Sequence, residues 1–110
     1  MRRDSQTILR DAIMAGEDIV AMLDGMTESA FLKDSRTQRA AERLFEIIGE
    51  ALARLVRDFP LIAVRIPEHR RVIDFRNVLA HGYDIVDPRL VFDLARTRLP
   101  DLLVALRAAQ

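Results

Sequence analysis

The sequence predicts an all-α protein, an antiparallel bundle of four to five helices whose C-terminal helix is kinked. Three observations carry that expectation. Apolar residues recur at three-to-four-residue spacing through most of the 110 positions, the period of a half-buried helix. The four prolines stand at ends of these stretches or at a single kink. The one β-branched run, Leu61 to Ile66, has no second strand to pair with.

The first helix is read from Ile8, Ala12, Ala15, Ile19 and Met22, widened by Leu9, Ile13, Val20 and Leu23, and Asp24-Gly25 stops it. Thr27 caps a short turn ahead of Phe31-Leu32, and Asp34 or Ser35 offers an N-cap oxygen to the next helix. That helix, from about Thr37 to Asp58, is apolar over more than a narrow stripe, so something packs on two sides of it. Small residues at Gly49 and Ala53 would let another helix approach closely. Arg43, Glu46, Glu50, Arg54 and Asp58 form opposite-charge pairs on the remaining face. Such breadth fits deep burial or a dimer interface.

Pro60 and Pro67 bracket Leu61 to Ile66, read as a connection that tucks apolar groups into the core. Pro67 suits the first turn of a third helix through Val72, Ile73, Phe75, Val78 and Leu79, with Gly82 placed to end it near His81. Asp87-Pro88 reads as N-cap and first position of a last long helix, which Pro100 should kink or break around Thr97. At this length one core, and so a single domain over residues 1–110, is expected.

Seventeen basic and seventeen acidic residues cancel, which argues against coating nucleic acid by bulk charge. With no cysteine there is neither a disulfide framework nor a thiolate metal site. No run reaches membrane-spanning length and the N-terminus lacks a signal-peptide core, so a cytoplasmic protein is expected. Phosphate affinity must then be local. Sixteen of the seventeen cations are arginine, and Arg65, Arg70, Arg71 and Arg76 fall within twelve residues, a candidate RNA-binding cluster or a solvated helix face.

The octet Arg76-Asn77-Val78-Leu79-Ala80-His81-Gly82-Tyr83 places a guanidinium, an amide, an imidazole and a phenol within two helical turns of a chain with two histidines and one tyrosine. Metal-free RNA cleavage needs a base for the 2′-hydroxyl, donors for the phosphorane oxygens and an acid for the leaving oxygen, roles that His and Arg fill. Arg76 and His81 lie about 140° apart on a straight helix, so they converge only if the chain turns at Gly82 or a second copy supplies its own octet. A two-fold pair completes the set more naturally than a monomer. Arg and His at a helix end can also serve merely as cap and polar contact. His69 has no comparable company and reads as surface. Asp74, His81, Asp84 and Asp87 lack ligand spacing, so no metal is expected.

The octet resembles the Arg-x-x-x-x-His-x-Tyr signature of the HEPN superfamily, in particular its HepT-like branch of ribonuclease toxins paired with small MntA-like nucleotidyltransferase antitoxins. Phe31-Leu32-Lys33-Asp34, Thr37-Gln38, Glu46-Ile47-Ile48-Gly49-Glu50-Ala51, Val86-Asp87 and Leu99-Pro100-Asp101-Leu102 are similar to that branch in the same order. The resemblance implies a homodimer with both octets in one cleft, cutting RNA endonucleolytically without metal or other cofactor. It implies Arg76 as the phosphate-stabilising arginine, His81 as the acid–base, Asn77 as an orienting residue and Tyr83 as the tyrosine that an ATP-using antitoxin AMPylates to silence the toxin. The alternative is a non-catalytic module that binds a nucleotide or docks a partner nucleotidyltransferase.

Overall fold

A computed structural model describes residues 4–67, 69–80 and 86–110, apart from the side chains of 78 and 80. Seven helices occur among the described residues: α1 Ser5–Leu23, α2 Glu28–Leu32, α3 Ser35–Asp58, α4 Pro60–Ala63, α5 His69–Ala80, α6 Pro88–Thr97 and α7 Leu99–Ala108. No strand is present among those residues. The all-α expectation holds.

Helix starts follow local chemistry. Oxygens of Asp4, Thr27, Asp34 and Asp87 accept from the backbone N–H of Thr7 (2.8 Å), Ala30 (3.1 Å), Thr37 (3.0 Å) and Arg89 (2.9 Å), satisfying donors that a first turn leaves without partners. Asp34 rather than Ser35 is the cap of α3. After α1, Gly25 adopts φ 74°, a left-handed conformation that costs a glycine little. The chain breaks between Thr97 and Leu99, as Pro100 predicts, because a proline two positions into α7 cannot donate back into α6.

Helix α3 lies at the centre, with α1 along one flank and α5 along the other. Its wide apolar face is thereby covered within one chain: Ala41, Phe45, Ile48, Ala51, Leu52 and Leu55 are buried, and only Val56 remains an exposed large apolar residue. Burial inside the protomer is the outcome. On the outer face the predicted pairs Arg43–Glu46 (3.2 Å) and Arg54–Glu50 (3.4 Å) form, each exposed and worth a few tenths of a kcal/mol. Phe31 of α2 meets Phe92 of α6 with centroids 5.4 Å apart, and Phe45 of α3 meets Phe75 of α5 edge-on at 5.5 Å. Such ring pairs add about 0.5–1.5 kcal/mol beyond burial.

One element differs from expectation. The segment after Pro60 turns as the short helix α4, and helical periodicity then buries Ala63 and Ile66 while turning Leu61 (82% exposed) and Val64 (72% exposed) to solvent. Half of the segment, not all of it, enters the core. The third long helix is described from His69, two residues beyond Pro67, to Ala80, and the stop expected at Gly82 lies outside the described residues.

Long-range contacts lock the ends of the bundle. The Arg96 guanidinium on α6 donates to the carbonyls of Leu23 (2.8 Å) and Met26, at the open C-terminal end of α1, and rests 4.9 Å from the Phe92 ring centroid. Cations suit that end of a helix.

Candidate active site

The candidate site is carried by α5, and α5 is fixed by what faces α3. Val72 and Arg76 are four residues apart and share the face that meets Gly49. Phe75, about 100° away, anchors the helix on Phe45. At Gly49 the two helices come so close that a Cβ there would lie 2.7 Å from Arg76 Cγ, closer still to Arg76 Cβ, and 3.2 Å from the Val72 carbonyl oxygen. The stem of Arg76 therefore lies directly against the α3 backbone.

Its guanidinium leaves that seam on one side. Arg76 Nη1 donates to Asn77 Oδ1 at 2.8 Å, with Arg76 half-buried and Asn77 exposed. Neighbouring helical residues do not ordinarily face one another, but the length of arginine lets its fork bend across to the next side chain. This contact engages one of the five N–H donors of the guanidinium. Arg76 and Asn77 are brought together; His81 and Tyr83 lie outside the described residues.

The arginine cluster seen in sequence is dispersed by the fold. Arg65 Nη2 donates to the Ala108 carbonyl at 3.1 Å, closing the C-terminal end of α7. Arg70 lines a hollow of about 210 Å³ between α3 and α5 with Val56, His69, Ile73 and Asp74. Being seven residues from Asn77, Arg70 lies within about 20° of it around the helix, on the side to which the Arg76 fork bends. Arg71 lines a cavity of about 230 Å³ with Phe45, Phe75, Arg98 and Leu102, on a flank about 120° from Asn77. Only Arg70 shares the face of the Arg76–Asn77 pair.

His69 is not the free surface residue expected. It is half-buried, and its Nδ1 lies 2.8 Å from the Ile66 carbonyl oxygen, tying the start of α5 to the preceding turn. Among the described residues no group of three or more histidine or acidic side chains is arranged to hold a metal. Gly49 was legible in sequence as a point of close approach, but nothing there indicated that its neighbour would be Arg76.

An all-α bundle that presents an arginine–amide pair from a helix pressed against its central helix agrees with the class the sequence resembled, a HEPN-type helical protein. The family model described as "Ribonuclease HepT-like" matches residues 12–109, and the chain belongs to that family. It is 33% identical over 102 residues to "Probable ribonuclease HepT" of Thermococcus cleftensis, covering 93% of this chain and 92% of that protein. It is 30% identical over 100 residues to "Putative RNase MJ0127" of Methanocaldococcus jannaschii, covering 91% of this chain and 82% of that protein. No solved structure matches the chain.

Proposed function

We propose that residues 1–110 act as a single domain and as the toxin of a toxin–antitoxin module, a metal-independent endoribonuclease that cuts RNA in a cleft shared by two protomers. Arg76 stabilises charge on the scissile phosphate, His81 moves protons to and from the reacting oxygens, and Asn77 holds the Arg76 fork. The observation that carries the reading is the Arg76–Asn77 contact at 2.8 Å, on an exposed helix face of a chain that belongs to the HepT-like ribonucleases. A guanidinium already oriented by a neighbour loses less freedom on meeting a phosphate and is positioned for charge that grows in the transition state.

In this scheme a neutral imidazole of one protomer takes the 2′-hydroxyl proton while the imidazolium of the other protonates the leaving 5′-oxygen. The two Arg76 side chains neutralise the non-bridging oxygens between them. Tyr83, two residues from His81, is the proposed point of control. A cognate nucleotidyltransferase that transfers AMP from ATP to its hydroxyl, releasing pyrophosphate and the phenolic proton, would place bulky anionic groups beside the arginines, and these would repel RNA.

The test is cleavage of single-stranded RNA in EDTA by protein freed of any antitoxin. Wild type should cut, while Arg76→Ala and His81→Ala should lose at least about 100-fold without a change of fold, the loss typical of a removed proton-transfer or charge-stabilising group. Alanine variants that cut at the wild-type rate would overturn the proposal. Intact mass after co-expression with a neighbouring nucleotidyltransferase gene should show added AMP, and Tyr83→Phe should abolish the addition.

A further inference from the structure

We infer that Gly49, on α3 and outside the octet, is a positioning residue for Arg76. The inference rests on the proposal that Arg76 acts on the RNA phosphate, and it explains how that guanidinium is aimed. A side chain's fork is only as well placed as its stem. Here the stem is set by backbone, because α3 offers no Cβ at position 49 and α5 closes into that gap with Arg76 Cβ and Cγ and the Val72 carbonyl as the touching atoms. Two of these three atoms belong to the backbone or are bonded directly to it, so no rotamer change can relieve an added methyl.

The displacement follows from the contact. An alanine Cβ at 49 would stand closer than 2.7 Å to Arg76 Cβ, an atom no rotamer change moves, whereas unstrained carbon atoms sit about 3.5–4.0 Å apart. Helix α5 must then withdraw by roughly 1 Å, carrying Arg76 and Asn77 with it. A misplacement of about 1 Å in a catalytic constellation can cost on the order of 100-fold in rate.

The molecule contains its own control. Gly16 on α1 is also crowded, but the atoms a Cβ would meet there are Leu103 Cδ2 at 2.7 Å, Leu103 Cγ at 3.3 Å and Leu99 Cδ1 at 3.4 Å. These belong to flexible side chains of α7, on a different helix pair from α3 and α5. Gly16→Ala probes helix crowding without moving Arg76.

The experiment measures kcat and KM for a single-stranded RNA oligonucleotide, at a temperature where circular dichroism shows every variant folded. Gly49→Ala is expected to lose about 100-fold, chiefly in kcat, while Gly16→Ala stays within about twofold of wild type. Gly49→Ala combined with Arg76→Ala should lose clearly less than the product of the two single losses, since the part of the effect that acts through the guanidinium cannot be lost twice. Full activity in Gly49→Ala beside a dead Arg76→Ala would overturn the inference and leave the nuclease reading standing; an active Arg76→Ala would overturn that reading itself. Losses that multiply in the double variant would mark a general loosening and also overturn the inference. Should Gly49→Ala fail to fold, Arg76→Gly in the same chain should restore folding by vacating the contact, and no recovery would overturn it.

Discussion

The Arg76–Asn77 contact permits a prediction in which geometry and charge pull in opposite directions. Asn77→Ala removes the acceptor 2.8 Å from Arg76 Nη1 and frees the fork, while the stem stays against α3. Ordering one such side chain anew costs about 0.5–1.5 kcal/mol, so kcat/KM should fall by roughly 2–10-fold. Asn77→Asp keeps an acceptor in the same place and makes the bond to the guanidinium stronger. It also sets a negative charge beside the proposed site of an RNA phosphate. Two like charges about 4 Å apart repel by about 1 kcal/mol in bulk water and by up to about 4 kcal/mol near a protein surface. The carboxylate also competes for the fork, so the loss should exceed tenfold and reach about 100-fold. The expected order is wild type, then alanine, then aspartate, although aspartate better preserves the observed hydrogen bond. The assay is initial rates on a labelled oligonucleotide at fixed salt, with melting temperatures beside them. Asn77 is exposed, so stability should change by less than about 0.5 kcal/mol in either variant. An aspartate variant at least as active as the alanine one would refute the reasoning, because Asn77 would then not lie beside a bound phosphate.

Among the neighbouring arginines, Arg70→Ala should weaken RNA binding and flatten the dependence of log affinity on log salt by about 0.7, the increment for one phosphate of a single strand, whereas Arg71→Ala should leave the slope unchanged. Fluorescence anisotropy across a salt series checks this. Arg96→Ala should cost about 1.5 kcal/mol through the lost bonds to the Leu23 and Met26 carbonyls, lowering the thermal midpoint by roughly 5–10 °C in calorimetry with rates unchanged below it. Hydrogen bonds from the Thr37 hydroxyl and then the Thr37 backbone N–H hold the Asp34 carboxyl below its ordinary value of 3.8. The stability this confers is complete above that value and is lost as pH falls through the lower folded one, so Asp34→Asn, which keeps an acceptor but does not titrate, should make acid unfolding less steep in a denaturant series at pH 2–5.

Local chemistry was written plainly in the chain. Thr27, Asp34 and Asp87 were recognisable as caps because an N-cap needs only its own side-chain oxygen and the N–H two or three residues on. The break before Leu99 was legible for the same reason, since Pro100 acts on the turn it belongs to. Adjacency did not foretell the pairing of Arg76 with Asn77, since neighbouring helical residues do not ordinarily face one another, whereas the width of the α3 face announced partners on two sides. Leu61 and Val64 were misplaced because composition resembles a core segment, whereas exposure depends on which turn of α4 meets the rest of the molecule.

The chain's own residues thus fixed where most of the described helices begin and marked the residues proposed for the chemistry, because caps, breaks and periodicity are set over a few neighbouring positions. Only the packing of helices against one another decided that α5 would close on Gly49 with Arg76 as the touching side chain, and that Arg65 would close the end of α7. It alone brought Arg96 to a carbonyl 73 residues earlier in the chain. Such contacts arise when apolar faces of separate helices are buried together, and the rotation each helix adopts is a property of the whole packed core.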